Sequence, residues 1–109
     1  MATVLISEPH HDVRALLLEM AARLGYEPVA VHGVGTAPAD AQLLVFEPAE
    51  PECLEHATVL RRTRPELRLV CVSIRPPEPS WLALGPAAYL IKPVTLDSLR
   101  TALDAAVVV

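Results

Sequence analysis

Five short apolar runs alternate with stretches whose apolar residues recur every three or four positions. This alternation is the strongest constraint on the fold. The runs are residues 3–7 (TVLIS), 27–32 (EPVAVH), 42–47 (QLLVFE), 67–74 (LRLVCVSI) and 87–91 (AAYLI). Strands this apolar are buried on both faces, and helices between successive strands make them parallel with right-handed crossovers. The chain is therefore predicted to form an α/β three-layer sandwich around a five-stranded parallel sheet.

The intervening segments support this. From Asp12, residues Val13, Leu16, Leu17, Met20 and Leu24 line one helix face, and Gly25 stands where a stop is expected. Pro51 opens a second clear helix, with Glu52 and Glu55 near its start and Leu54, Ala57 and Leu60 facing inward. Thr95 is placed to cap a last helix whose inner face is Leu96, Leu99, Leu103 and Ala106. Two crossovers are poor in helix. Residues 33–41 (GVGTAPADA) have room for one or two turns at most, and residues 75–80 (RPPEPS) force an extended loop before a short helix at Trp81 to Leu84.

At 109 residues and 52% apolar, the chain is expected to be one domain spanning residues 1–109 with a core of its own. Cys53 and Cys71 both lie in apolar stretches, and no export signal opens the chain, so an intracellular, cytoplasmic protein with reduced thiols is expected. Apolar runs are too short to span a membrane. The net charge of −4 and scattered basic residues argue against direct nucleic-acid binding. The one cluster, Arg61, Arg62, Arg64 and Arg68, reads as a solvated helix end. Eight arginines accompany a single lysine, Lys92.

In open parallel sheets, chemistry gathers beyond the carboxyl ends of the strands. Those ends carry Ser7 and Glu8, then Glu47, Ser73 and Lys92. Lys92 and Glu47 should attract each other as an exposed pair, with Ser73 donating to a carboxylate oxygen that the lysine leaves free.

VLISEPHHDVRALLLEMAARLGYEPV, QLLVFEPAEP, LRRTRPELRLVCVS and AAYLIKPVTLDSLRTAL together cover nearly the whole chain. In these segments the sequence resembles the receiver domain of two-component response regulators. The resemblance implies a flavodoxin-like sheet of order 2-1-3-4-5 and an aspartate after the third strand that a histidine kinase phosphorylates. It also implies an acidic pair that binds Mg²⁺, a hydroxyl and a lysine that contact the phosphoryl group, and an aromatic switch. By position these are Ser73, Lys92 and the switch aromatic Tyr89, but the aspartate is Glu47 and the acidic pair is Glu8-Pro9. Proline ligates nothing, and an acceptor longer by one methylene is misplaced for in-line transfer, where about 1 Å can cost on the order of a hundredfold. The second and fourth helices implied by the resemblance are shortened.

The expectation is thus a degenerate, non-enzymatic receiver, independent of phosphorylation, with no metal or other cofactor, in which Glu47 imitates a phosphoryl group only in part. Its partner would be another protein or a second copy, met on the face formed by the helix at Trp81, the strand 87–91 and the last helix. Trp81, Tyr89, Leu99 and Leu103 are the candidate contacts, with Trp81 either packed over the core edge or exposed as an anchor. A small-molecule-sensing pseudo-receiver is the alternative, and a working phosphoacceptor at Glu47 the third. His10 and His11 beside Glu8 invite a metal reading, but His32 and His56 lie far along the chain and no second ligand pair has recognisable spacing. Cys71 reads as a buried hydrophobe. Cys53 has no redox role, since Glu52 and Glu55 oppose its thiolate. The Ala-, Pro- and Arg-rich composition hints at a bacterial source.

Overall fold

The computed structural model describes residues 2–31 and 37–107. Its elements are β1 (Thr3–Ser7), α1 (His11–Arg23), β2 (Glu27–Ala30), β3 (Leu43–Phe46), α2 (Pro51–Thr63), β4 (Arg68–Ser73), α3 (Pro79–Leu82), β5 (Ala88–Ile91) and α4 (Leu96–Val107). All strand pairs are parallel, in the order β2-β1-β3-β4-β5. This is the predicted sandwich of flavodoxin-like topology. Among the described residues, no helix is long and apolar enough to cross a membrane.

Strand alternation separates two apolar layers. Val4, Ile6, Leu43, Val45, Val70 and Val72 pack against Leu17 and Ala21 of α1 and Leu99, Ala102, Leu103 and Ala106 of α4. Leu5, Leu44, Phe46, Leu69 and Cys71 point the other way, onto Ala57 and Leu60 of α2. Each fully buried large aliphatic or aromatic side chain here contributes about 1.5–3 kcal/mol relative to exposure. That two-sided burial is why the strands read as continuous apolar runs.

The helix ends follow the sequence signals. Gly25 has φ +92°, the left-handed conformation that stops α1 without a Cβ clash. Thr95 Oγ1 accepts the Ser98 N–H at 3.0 Å while Ser98 Oγ accepts the Thr95 N–H at 3.0 Å, a reciprocal cap at the start of α4. α3 has only four residues. Of the weak stretch 33–41, residues 37–41 are not helical and the rest lie outside the described residues, as does His32.

Of the arginine cluster, Arg62 and Arg68 are exposed as expected, but Arg61 and Arg64 are half-buried and tied to the backbone. Arg61 donates to three backbone carbonyls, those of Leu84 (3.0 Å), Pro65 (2.8 Å) and Leu67 (2.9 Å), and Arg64 reaches the carbonyls of Pro38 and Ala37. These guanidiniums tie α2 to the loops that flank β3, β4 and β5, because a planar five-donor fork can satisfy several carbonyls that no strand or helix reaches.

Candidate functional site

The parallel register delivers the site. Ser7 pairs with Phe46 and Ser73 with Ile91, so the next residues, Glu8, Glu47 and Lys92, leave the sheet along one edge. The backbone ladder extends into them, with Glu47 N–H donating to Ser7 O at 3.1 Å and Lys92 N–H to Ser73 O at 2.9 Å. Lys92 and Pro93 are joined by a cis peptide bond.

Lys92 Nζ lies 2.9 Å from Glu47 Oε2 and 2.7 Å from Glu8 Oε1. The expected pair is thus a triad, with Glu8 as its third member. It is also not exposed: the side chains of Glu8, Glu47 and Lys92 retain 1%, 5% and 10% of their accessible surface. An exposed pair would be worth about 0–1 kcal/mol. A buried group loses several kcal/mol of hydration per ion and persists only because its members neutralise one another.

The remaining oxygens are occupied too. Glu47 Oε1 accepts the Ala49 N–H at 3.0 Å. Glu8 Oε2 accepts the His10 N–H at 3.1 Å and lies 3.0 Å from His10 Nδ1, which must carry the proton because an ionised carboxylate only accepts. Glu8 Oε1 is held by the Lys92 ammonium alone, at 2.7 Å. Arg14 braces the Glu8 carbonyl at 3.0 Å.

These contacts bear on the divalent cation that the receiver resemblance implies. Pro9 supplies no side-chain ligand, and all four carboxylate oxygens of Glu8 and Glu47 are held by Lys92, His10 or the Ala49 amide. In this arrangement the residues do not fit a cation, and the ammonium takes the place of its charge.

Burial works against the charge on Lys92, but its hydrogen bonds to Glu8 and Glu47 and their negative charges outweigh it, so its pKa lies above the ordinary 10.5. Below 10.5 the ammonium is protonated whether the chain is folded or not, and its stabilisation is fully present. As pH rises through the folded value that contribution is lost. Denaturation midpoints should therefore fall as pH rises above about 10.5, and fall less in Lys92→Met. Tyr26, Tyr89 and Cys71, whose pKa values burial also raises, lose stability in the same direction, so the difference between the two proteins isolates Lys92.

Ser73 does not play the expected part. Ser73 Oγ accepts the Arg75 N–H at 3.2 Å rather than serving a carboxylate, because the chain turns directly after β4 and brings that amide back onto the hydroxyl. The Tyr89 hydroxyl donates to the Arg75 carbonyl at 2.9 Å. Its ring stacks on Trp81 at 6.5 Å between centroids and 10° between planes, and the Arg75 guanidinium lies 5.4 Å from the Trp81 ring centre.

The proposed interface residues are also corrected. Trp81, Leu99 and Leu103 are 3%, 1% and 0% exposed, so they fill the core and offer a partner nothing. The short α3 lays the indole down against Tyr89, and the inner face of α4 covers the sheet.

His56 was missed as a site residue. It is buried, and its Nδ1 lies 2.8 Å from Ser7 Oγ. Its place among Cys53, Ala57 and Leu60 on the inner face of α2 was the available signal. Cys53 and Cys71 are both buried and unpaired with each other. Burial pushes the Cys71 thiol up to about 12 and raises Cys53 as well, with the charges of Glu8, Glu50 and Glu52 adding to the latter.

No family model matches this sequence, and no curated protein does. Solved structures do match its fold. The chemotaxis protein CheY4 of Vibrio cholerae superposes with a TM-score of 0.83 at 18% identity, covering 97% of this chain and 98% of that one. A response regulator receiver domain protein from Clostridium thermocellum gives 0.82 at 15% identity, covering 98% and 94%. The response regulator protein TrrA of Thermotoga maritima, solved in complex with Mg²⁺ and beryllium fluoride, gives 0.79 at 20% identity, covering 95% and 97%. The polypeptide thus has the fold of response regulator receiver domains, built with an ammonium-bridged pair of glutamates at the carboxyl edge of its sheet.

Proposed function

We propose that this chain is a receiver-fold signalling module of the response-regulator type that works through protein contacts without being phosphorylated. The observation that carries this reading is Lys92 bound to both Glu8 and Glu47 at 2.7 and 2.9 Å inside a buried rim. Phosphoryl transfer to a carboxylate needs an oxygen free to attack in line and a positive charge on the incoming group. Here the attacking oxygens are engaged, and the one ammonium of the chain is already neutralised by two carboxylates. The triad holds the rim in one arrangement, which makes the module a constant surface and not a switch.

In this reading the domain is cytoplasmic and has no catalytic activity. With Trp81, Leu99 and Leu103 buried, contact with a partner protein falls to exposed apolar residues. Ile74 and Ile91 leave neighbouring strands at the same edge, and Leu82 lies on α3 between them in sequence.

Incubation with acetyl phosphate and Mg²⁺ is expected to leave the intact mass unchanged. Stoichiometric addition mapped to Glu47 would overturn the reading. Light scattering over a wide concentration range separates the two kinds of partner. A mass that rises to twice the chain's supports self-association, and a constant monomer mass leaves a different protein as the partner.

A further inference from the structure

A cavity of about 220 Å³ opens beside the ion triad, between the first turns of α1 and α2. Its lining includes Ser7, Arg14, Val31, Glu52, Cys53 and His56. Glu8 and Pro9 complete the lining where the cavity meets the triad, and there the Glu8 carboxylate is already held by Lys92 and His10. At this volume it lies below the roughly 300–1,000 Å³ of pockets for drug-sized ligands, so an occupant is a small metabolite.

Its chemistry is ordered by depth. Ser7, Cys53 and His56 are 1%, 4% and 8% exposed and form an inner wall that is polar but uncharged at the thiol, which burial keeps protonated. The Ser7 hydroxyl lies 2.8 Å from His56 Nδ1, which orients both groups. Charge enters with Arg14, which is half-buried, and Glu52, which is exposed. Among the described residues neither makes a salt bridge, although both line the same cavity. One cation and one anion above a hydrogen-bonding wall match a molecule that carries both charges and a short polar group.

We propose that this cavity binds a small zwitterion, an α-amino acid with a short hydrogen-bonding side chain. Its carboxylate faces Arg14, its ammonium faces Glu52, and its side chain meets the wall of Ser7, Cys53 and His56. An occupant held by Arg14 also engages the guanidinium that braces the Glu8 carbonyl at 3.0 Å. That shared arginine links the cavity to the ion triad.

The test is calorimetric titration of the full chain with L-serine, L-threonine, L-asparagine and glycine, with amide NMR shifts to place the site. Saturable binding of at least one of them is expected, with shifts at Ser7, Cys53 and His56. Glu52→Gln, at an exposed position that leaves the fold intact, should weaken it about tenfold or more, as should Arg14→Lys, since each removes a charge-assisted or forked contact. Ethanolamine and 3-hydroxypropionate, each lacking one charge, should bind at least about tenfold more weakly. The proposal is overturned if none of the four amino acids binds saturably, if Glu52→Gln leaves affinity unchanged, or if the singly charged analogues bind as well. Failure here leaves the phosphodonor result standing, and addition of phosphate to Glu47 leaves this result standing.

Discussion

Replacing Lys92 with alanine is expected to destabilise the fold by about 3–5 kcal/mol, measured by urea denaturation. The substitution leaves two carboxylates, 1% and 5% exposed, facing one another without a counter-charge. One of them must take up a proton or the rim must open, because buried like charges cannot both stay ionised at low cost. The deficit should shrink as pH falls toward the point where the raised carboxylate protonates, since a folded-state pKa above the unfolded one favours folding at lower pH. Lys92→Met combined with Glu8→Gln and Glu47→Gln should recover most of the loss, because the uncompensated charge is what is costly and not the missing bridge. A loss under about 1 kcal/mol in the single variant would show that the triad is solvated in solution and would remove the argument for a locked rim.

Trp81→Ala is expected to cost about 3–5 kcal/mol, the range for emptying a buried aromatic site. The indole is 3% exposed, stacks on Tyr89 and carries the Arg75 guanidinium on its ring. Denaturant midpoint and near-ultraviolet circular dichroism should both change, while the light-scattering mass of the folded variant should match that of the parent. A stable variant that instead lost self-association or partner binding would return Trp81 to the surface role the sequence allowed it.

How far the sequence was legible depended on whether a residue's role was set by its neighbours along the chain. Pro51, Gly25 and the Thr95 cap act within one turn, and each stands where sequence reading put it. Lys92 was recognisable because it is the one lysine and directly precedes a proline after an apolar run. Glu8 was placed at the same edge, but its contact with Lys92, 84 positions away, was not read, since strand order gives proximity and not which carboxylate the ammonium reaches. Leu99 and Leu103 show the opposite failure. Their spacing marks an apolar helix face correctly, but spacing cannot tell a face laid on the sheet from one offered to a partner.

The periodicity of apolar residues was sufficient for the strands, the helices, their parallel pairing and the three layers, because those depend on burying a pattern that is local and repeated. Burial of the Glu8–Lys92–Glu47 group, the turning of Ser73 and Tyr89 toward Arg75, the Ser7–His56 contact and the arginine ties to distant carbonyls came only with the assembled sheet. Each depends on a distance between segments remote in sequence, and on how much water the surrounding packing leaves there. Neither quantity is written in any one stretch of the chain.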